Sequence, residues 1–136
     1  MLGKAGLAIA AAALLTGAAF ATDEPKEECA SRDLDDIATA VQKAPSCARA
    51  VAIFEVCQFG ATGDVFIGQE VTKKCEADFL AKLNATQKRA YEQKQVRCSN
   101  KYRRESGSMY RSMEAFCGAY VARDYSARAL KAKPAR

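Results

Sequence analysis

The stretch RRESGSMYRSMEAFC, residues 103–117, decides the fold. Arginines run into a Ser106-Gly107-Ser108 break, and Met109, Met113 and Phe116 come after it at helical spacing up to Cys117. Cys98 lies just upstream of the break. Gly107 can take φ > 0 without strain, and Ser106 or Ser108 is a candidate N-cap for the downstream helix. A Cys98–Cys117 bridge would tie the two flanking segments back to back. The stretch reads as a stapled helical hairpin, with Met109, Met113 and Phe116 as packing residues rather than a ligand site.

Upstream, the helical period continues. Leu34, Ile37, Ala38 and Val41 recur at i, i+3, i+4 and i+7, behind Ser31 or Asp33 as a cap. Pro45-Ser46 ends that helix and caps the next, CARAVAIFEVC, where Cys47, Val51, Phe54 and Cys57 fall along one side. QFGATGD, residues 58–64, is a loop with two glycines and Asp64 as the next N-cap. Ile67, Val71, Cys75, Phe79 and Leu83 then recur every four residues. Asn84 with Gln87 three residues on resembles a capping box, so a new helix or a kinked continuation starts there.

From Ala85 to Arg104 the pattern is mostly polar, with a thin apolar line of Tyr91, Gln95, Cys98 and Tyr102. Such a helix needs a staple to stay on the core. A last helix runs from Met109 to Leu130 and carries Met109, Met113, Phe116, Cys117 and Tyr120 on one side, before a frayed tail over 130–136. The expected fold is all-α, a small disulfide-stapled bundle of four or five helices.

The amino terminus sets the compartment. Lys4 precedes an apolar run from about Leu7 to Leu15, which ends in Ala19-Phe20-Ala21, a small-x-small cleavage pattern. The run is shorter than the roughly 20 residues a membrane span needs. Residues 1–21 therefore read as a cleaved bacterial-type signal peptide, residues 22–136 as a single exported domain, and the location as periplasmic or secreted.

Six cysteines, Cys29, Cys47, Cys57, Cys75, Cys98 and Cys117, read as three disulfides in an exported chain. Each of the intervals 29–47, 57–75 and 98–117 contains a turn signal, so sequential pairing would clip each turn. Six cysteines allow 15 connectivities; Cys98–Cys117 is the pair the sequence favours.

Charge is uneven. Residues 22–80 hold 12 acids and 6 bases, and residues 81–136 hold 4 acids and 14 bases. Such asymmetry fits two mutually attracting halves or a basic face for an anionic partner. Tyr91, Tyr102 and Tyr110 interleave with the bases between Lys88 and Arg111. That pattern suits nucleic acid in principle, but export argues against it and favours anionic envelope polymer, with Arg103, Arg104 and Arg111 as the anion-binding residues.

Catalysis finds little footing. The chain has no histidine, which removes the ordinary Ser-His and Cys-His nucleophile systems. Asp33, Asp35 and Asp36 open a helix, where acids suit the positive end of the dipole. GATGD lacks the Lys-Ser/Thr and the preceding strand of a phosphate loop. No enzyme, cofactor or metal site is expected.

Gln87 and Lys94 lead along one helix to Cys98; Gly107-Ser108 makes a turn, and Cys117 comes nine residues after the serine. Arg123, Ser126 and Leu130 complete the pattern. This third of the chain resembles the LprI-like lysozyme-inhibitor family of small exported bacterial helical proteins. It departs from that pattern at Ala90, Gln95 and Ser106, where a tryptophan, an aspartate and a glycine are usual. The resemblance implies an exported protein that inhibits lysozyme-type muramidases. Its contacts are expected on the loop from Gln58 to Asp64 and the turn Glu105, Ser106, Gly107 and Ser108. Lysozymes of the chicken type are basic, which makes the acidic amino-terminal half the plausible docking face. The alternative is a structural module whose basic hairpin holds envelope polymer.

Overall fold

The computed structural model describes residues 28–132. Residues 1–27 and 133–136 lie outside it, and with them the expected signal peptide and most of the tail. The described residues form five α-helices: α1 (Leu34–Lys43), α2 (Cys47–Cys57), α3 (Gly63–Glu76), α4 (Ala85–Tyr102) and α5 (Ser108–Lys131). A 3-10 turn, Leu80–Lys82, separates α3 from α4. No strand occurs among the described residues, and none of their helices is long and apolar enough to cross a membrane.

The caps explain most of these boundaries. Asp33 accepts hydrogen bonds from the Asp35 and Asp36 amides at the head of α1, and Ser46 accepts from the Arg49 amide at the head of α2. Asn84 and Gln87 form the reciprocal capping box of α4, which ends the four-residue stripe: Phe79 and Leu83 belong to the connection. Two expectations change. Gly107, at φ +117°, is itself the residue before α5, and neither Ser106 nor Ser108 caps it. The last helix runs one residue past the expected Leu130, to Lys131, and its end is closed by the Ala132 amide on the Arg128 and Leu130 carbonyls.

α1, α2 and α3 pack together, α5 lies mainly across α3, and α4 packs on α5. Ile37, Val41, Val51, Phe54, Ile67, Val71 and Phe79 are buried at the centre. The expected packing face of α5 is wrong in part. Its buried residues are Ser112, Ala119, Ala122 and Ser126, whereas Met109 is 50% and Met113 41% exposed. Phe116 alone of that trio packs inward, stacked on Phe54 with ring centroids 3.9 Å apart. Small residues at 112, 115, 119, 122 and 126 let α5 approach α3 closely, and the larger side chains are turned to the flank. At the crossing, a Cβ on Gly68 would lie 2.9 Å from Ala115 Cβ and 3.3 Å from the Ala115 carbonyl oxygen. Gly68→Ala is therefore expected to lower stability by about 1–3 kcal/mol, as overpacking does, with the loss read from chemical denaturation.

The disulfides are Cys29–Cys57, Cys47–Cys75 and Cys98–Cys117, with Cα–Cα distances of 5.0, 4.6 and 5.6 Å. The third pair is the expected one; the sequential pairs 29–47 and 57–75 are not formed. The reason is geometric. In an antiparallel hairpin, two residues meet only when they stand about equally far from the turn. Around Gly60, Cys47 and Cys75 stand 13 and 15 residues away, whereas Cys57 stands three. Cys57 and Cys75 would be separated by most of the length of α3, at 1.5 Å per residue roughly 18 Å. Cys29 and Cys57 are similarly placed around Pro45, 16 residues before it and 12 after.

Candidate functional site

The two segments expected to meet a partner share one end of the molecule, and Asp64 brings them together. The sequence predicts this residue as the cap of α3; the structure places it inside the first turn, after Thr62, with no solvent exposure. One carboxylate oxygen accepts from the Phe59 amide at 2.8 Å. The other accepts from the Gly60 amide at 2.9 Å and from the Ser112 hydroxyl at 2.6 Å. Gly60 takes φ +67°, so the loop can curl its amides back over the helix start. A carboxylate at this position also suits the positive end of the helix dipole. Asp64 thus does not face a partner. It fastens the loop to α3 and to α5.

The turn between α4 and α5 is fastened separately. Arg111 donates to the Tyr102 carbonyl at 2.6 Å and pairs with Glu114 at 2.7 Å. It closes the end of α4 instead of standing ready for an anion, which corrects its assignment to an anion-binding trio. Arg103 and Arg104 are exposed and have no partner among the described residues. Gln58, Glu105, Ser106, Gly107 and Ser108 are all exposed.

Between loop and hairpin runs an open groove of about 780 Å³, with Gln58 and Gly60 on one side and Met109, Met113, Phe116 and Tyr120 along α5. Phe59, between the groove residues Gln58 and Gly60 in sequence, belongs to a further apolar edge. Phe59 is 40% and Leu34 38% exposed, and both approach Gly63. Methionine is flexible and polarisable, and an exposed pair beside a groove suits protein contact. The sequence shows these methionines at helical spacing; it does not show that small residues take the core face instead.

Four hydroxyls of the carboxy-terminal half bond to carboxylates of the amino-terminal half: Ser112 to Asp64, Tyr120 to Glu55, Tyr91 to Glu76 and Ser126 to Asp78. The ion pairs Lys73–Glu70, Arg111–Glu114 and Arg123–Asp124 each lie within one helix. Among the described residues these contacts between the halves are made by neutral donors, and Lys88, Arg97, Arg103 and Arg104 face solvent.

The Tyr91 link also holds α4 in place. Its hydroxyl donates to Glu76 at 2.7 Å and accepts from Gln95, whose amide also reaches the Gly118 carbonyl. Its ring packs edge-on against Phe79 and Tyr125. Burial, and next the bond to Glu76, push the Tyr91 phenol far above the usual tyrosine range. Burial and Glu55 raise that of Tyr120. Both shifts favour the neutral phenol in the fold. Their stabilisation is complete below the ordinary tyrosine value near 10 and is lost as pH climbs above it towards the folded value. The midpoint of thermal unfolding is expected to fall between pH 9 and 11, and Tyr91→Phe is expected to flatten that fall while lowering stability at neutral pH by about 1–3 kcal/mol through the unpaired Glu76 and Gln95.

Among the described residues no three His, Cys, Asp or Glu side chains gather as metal ligands. Asn84, in its Asn-Ala-Thr sequence, is engaged in the capping box. No family, curated protein or solved structure matches this chain in comparison with known proteins.

Proposed function

We propose that this protein is a binding protein that captures a partner protein at the end built from residues 58–64 and 105–113, and that the partner is a lysozyme-type muramidase. The observation that carries the docking end is the buried Asp64–Ser112 bond, which joins loop and hairpin into one rim around the methionine-edged groove. A rim held in advance loses little freedom on binding, which favours affinity. The choice of muramidase rests on the resemblance of residues 87–130 to the lysozyme-inhibitor family.

The chemistry of the rim agrees with that choice in a particular way. Glycosidases of this kind cleave between two carboxyl groups that flank the substrate. A turn carrying Arg103 and Arg104 is complementary to such a cleft. Several acids of the amino-terminal half are occupied by hydroxyls, so the basic turn supplies the better docking element than the acidic half. Three disulfides suit the oxidising compartment in which the encounter would occur.

The test is a titration of the oxidised protein into chicken-type lysozyme clearing a bacterial cell suspension, at fixed salt. Stoichiometric inhibition is expected, abolished by reduction and alkylation and weakened at least tenfold in Met113→Asp. Unaltered clearing at a large molar excess would sink the muramidase reading.

A further inference from the structure

The cations of the carboxy-terminal half fall into two sets. Lys94 and Arg128 lie 5.2 and 4.4 Å from the Tyr125 ring centroid, Lys101 lies 5.1 Å from that of Tyr102, Arg123 lies 4.5 Å from that of Tyr120, and Arg111 is held by Glu114. These are engaged within the molecule. Lys88, Arg97, Arg103 and Arg104 are exposed without a partner among the described residues, and Arg89 touches only the Thr86 hydroxyl at 3.3 Å.

The second set is concentrated on and beside α4. From Lys82 to Arg104 the chain holds eight bases and one acid, Glu92. α4 buries only Tyr91 and Cys98 towards α5. On its outer side Arg89 and Arg97 flank the 54%-exposed Val96 in a shallow cleft of about 450 Å³, which Glu92 and Gln93 complete. From Arg89 to Arg97 this face spans roughly 12 Å at 1.5 Å per residue. Arg103 and Arg104 follow just beyond the end of α4.

Like charges three and four residues apart oppose helix formation, and Lys94, Arg97 and Lys101 are spaced so along α4, with Lys94 and Lys101 each over a tyrosine ring and Arg97 free of one. Nothing in the packing of α4 requires that repulsion, and bound counter-charges would relieve it. We propose that the outer face of α4 binds a linear polyanion, a chain of phosphate or carboxylate groups lying along the helix. Guanidinium forks suit both groups. A file of cations matches a chain better than a membrane plane, since an interfacial helix needs a broad apolar face and Val96 is the one large apolar side chain that α4 exposes. Arg89 and Arg97 stand away from the groove, so the protein can hold envelope polymer while its docking end stays open. This face would bind polymer whether or not the groove binds a muramidase.

The test measures binding of the oxidised full chain to long-chain polyphosphate and to a polyuronate, with phosphatidylglycerol vesicles as a third arm. One of the two polymers is expected to bind at low salt, with affinity falling linearly on a double-logarithmic salt plot. Which polymer binds assigns the charge type. Arg89→Ala/Arg97→Ala, both exposed and checked for helicity by circular dichroism, is expected to weaken binding at least tenfold and to reduce the salt slope by about 1.5. Arg123→Ala is expected to leave the slope unchanged. Binding to neither polymer, binding only to vesicles, or an unchanged slope in the double variant would overturn the proposal.

Discussion

Asp64→Ala is expected to lower the free energy of unfolding by about 3–4 kcal/mol. The substitution strips three donors, the Phe59 and Gly60 amides and the Ser112 hydroxyl, of one shared acceptor in a fully buried place. Hydrogen bonds to a charged group contribute roughly 1.5–3 kcal/mol each, and leaving buried donors unpaired adds a penalty; the relief of an uncharged interior offsets part of the sum. Asp64→Asn keeps one acceptor oxygen and should cost less. Ser112→Ala, which leaves both amides satisfied, should cost about 1–2 kcal/mol. The two sites touch, so the double variant Asp64→Ala/Ser112→Ala is expected to be less destabilised than the sum of its parts. Urea denaturation of the four proteins measures all of this. Asp64→Ala within about 1 kcal/mol of the parent would mean that the loop is held by something else.

The second large effect belongs to the disulfides, and the three are not equivalent. Cys47–Cys75 closes a 28-residue separation between buried sulfurs at the far end of the α2–α3 hairpin from its loop. Its replacement by two alanines is expected to lower global stability by about 3–4 kcal/mol on the chain-entropy estimate. Cys98–Cys117 closes 19 residues and pins α4, a helix with two buried residues, to α5. Its replacement by alanines is expected to cost about 3 kcal/mol and to act locally first. Amide hydrogen exchange should rise through α4 while α2 and α3 keep their protection. Uniform loss of protection across all helices would show that α4 is integral to one cooperative unit. Peptide mapping without reduction checks the connectivity, with Cys29 linked to Cys57 as the decisive fragment.

The charge distribution illustrates how a correct count can mislead about mechanism. Two halves of opposite sign suggest ion pairing across their interface. The interface instead uses serine and tyrosine hydroxyls against carboxylates. A hydroxyl is cheaper to bury than an ammonium or guanidinium, because it carries no charge to desolvate. The bases are thereby kept at the surface, where Arg97, Arg103 and Arg104 remain available to an anionic partner.

The sequence by itself determined the elements. Helical period gave an all-helical chain of four or five helices, and local hydrogen-bond chemistry marked starts at Ser31 or Asp33, at Ser46 and at Asn84, because a cap depends on residues two or three apart. The Cys98–Cys117 hairpin was legible for the same reason: its turn and both cysteines lie within one short stretch. Tertiary structure alone decided the rest. The partners of Cys29, Cys47, Cys57 and Cys75 depend on which residues stand level across an antiparallel hairpin, and no turn signal between two cysteines reports that. The face of α5 that enters the core depends on how near α3 comes. At Gly68 and Ala115 the backbones approach so closely that small residues must line the contact, which turns Met109 and Met113 outwards. The role of Asp64 depends on Ser112, 48 residues away, and a bond of that range becomes visible only when the chain has folded.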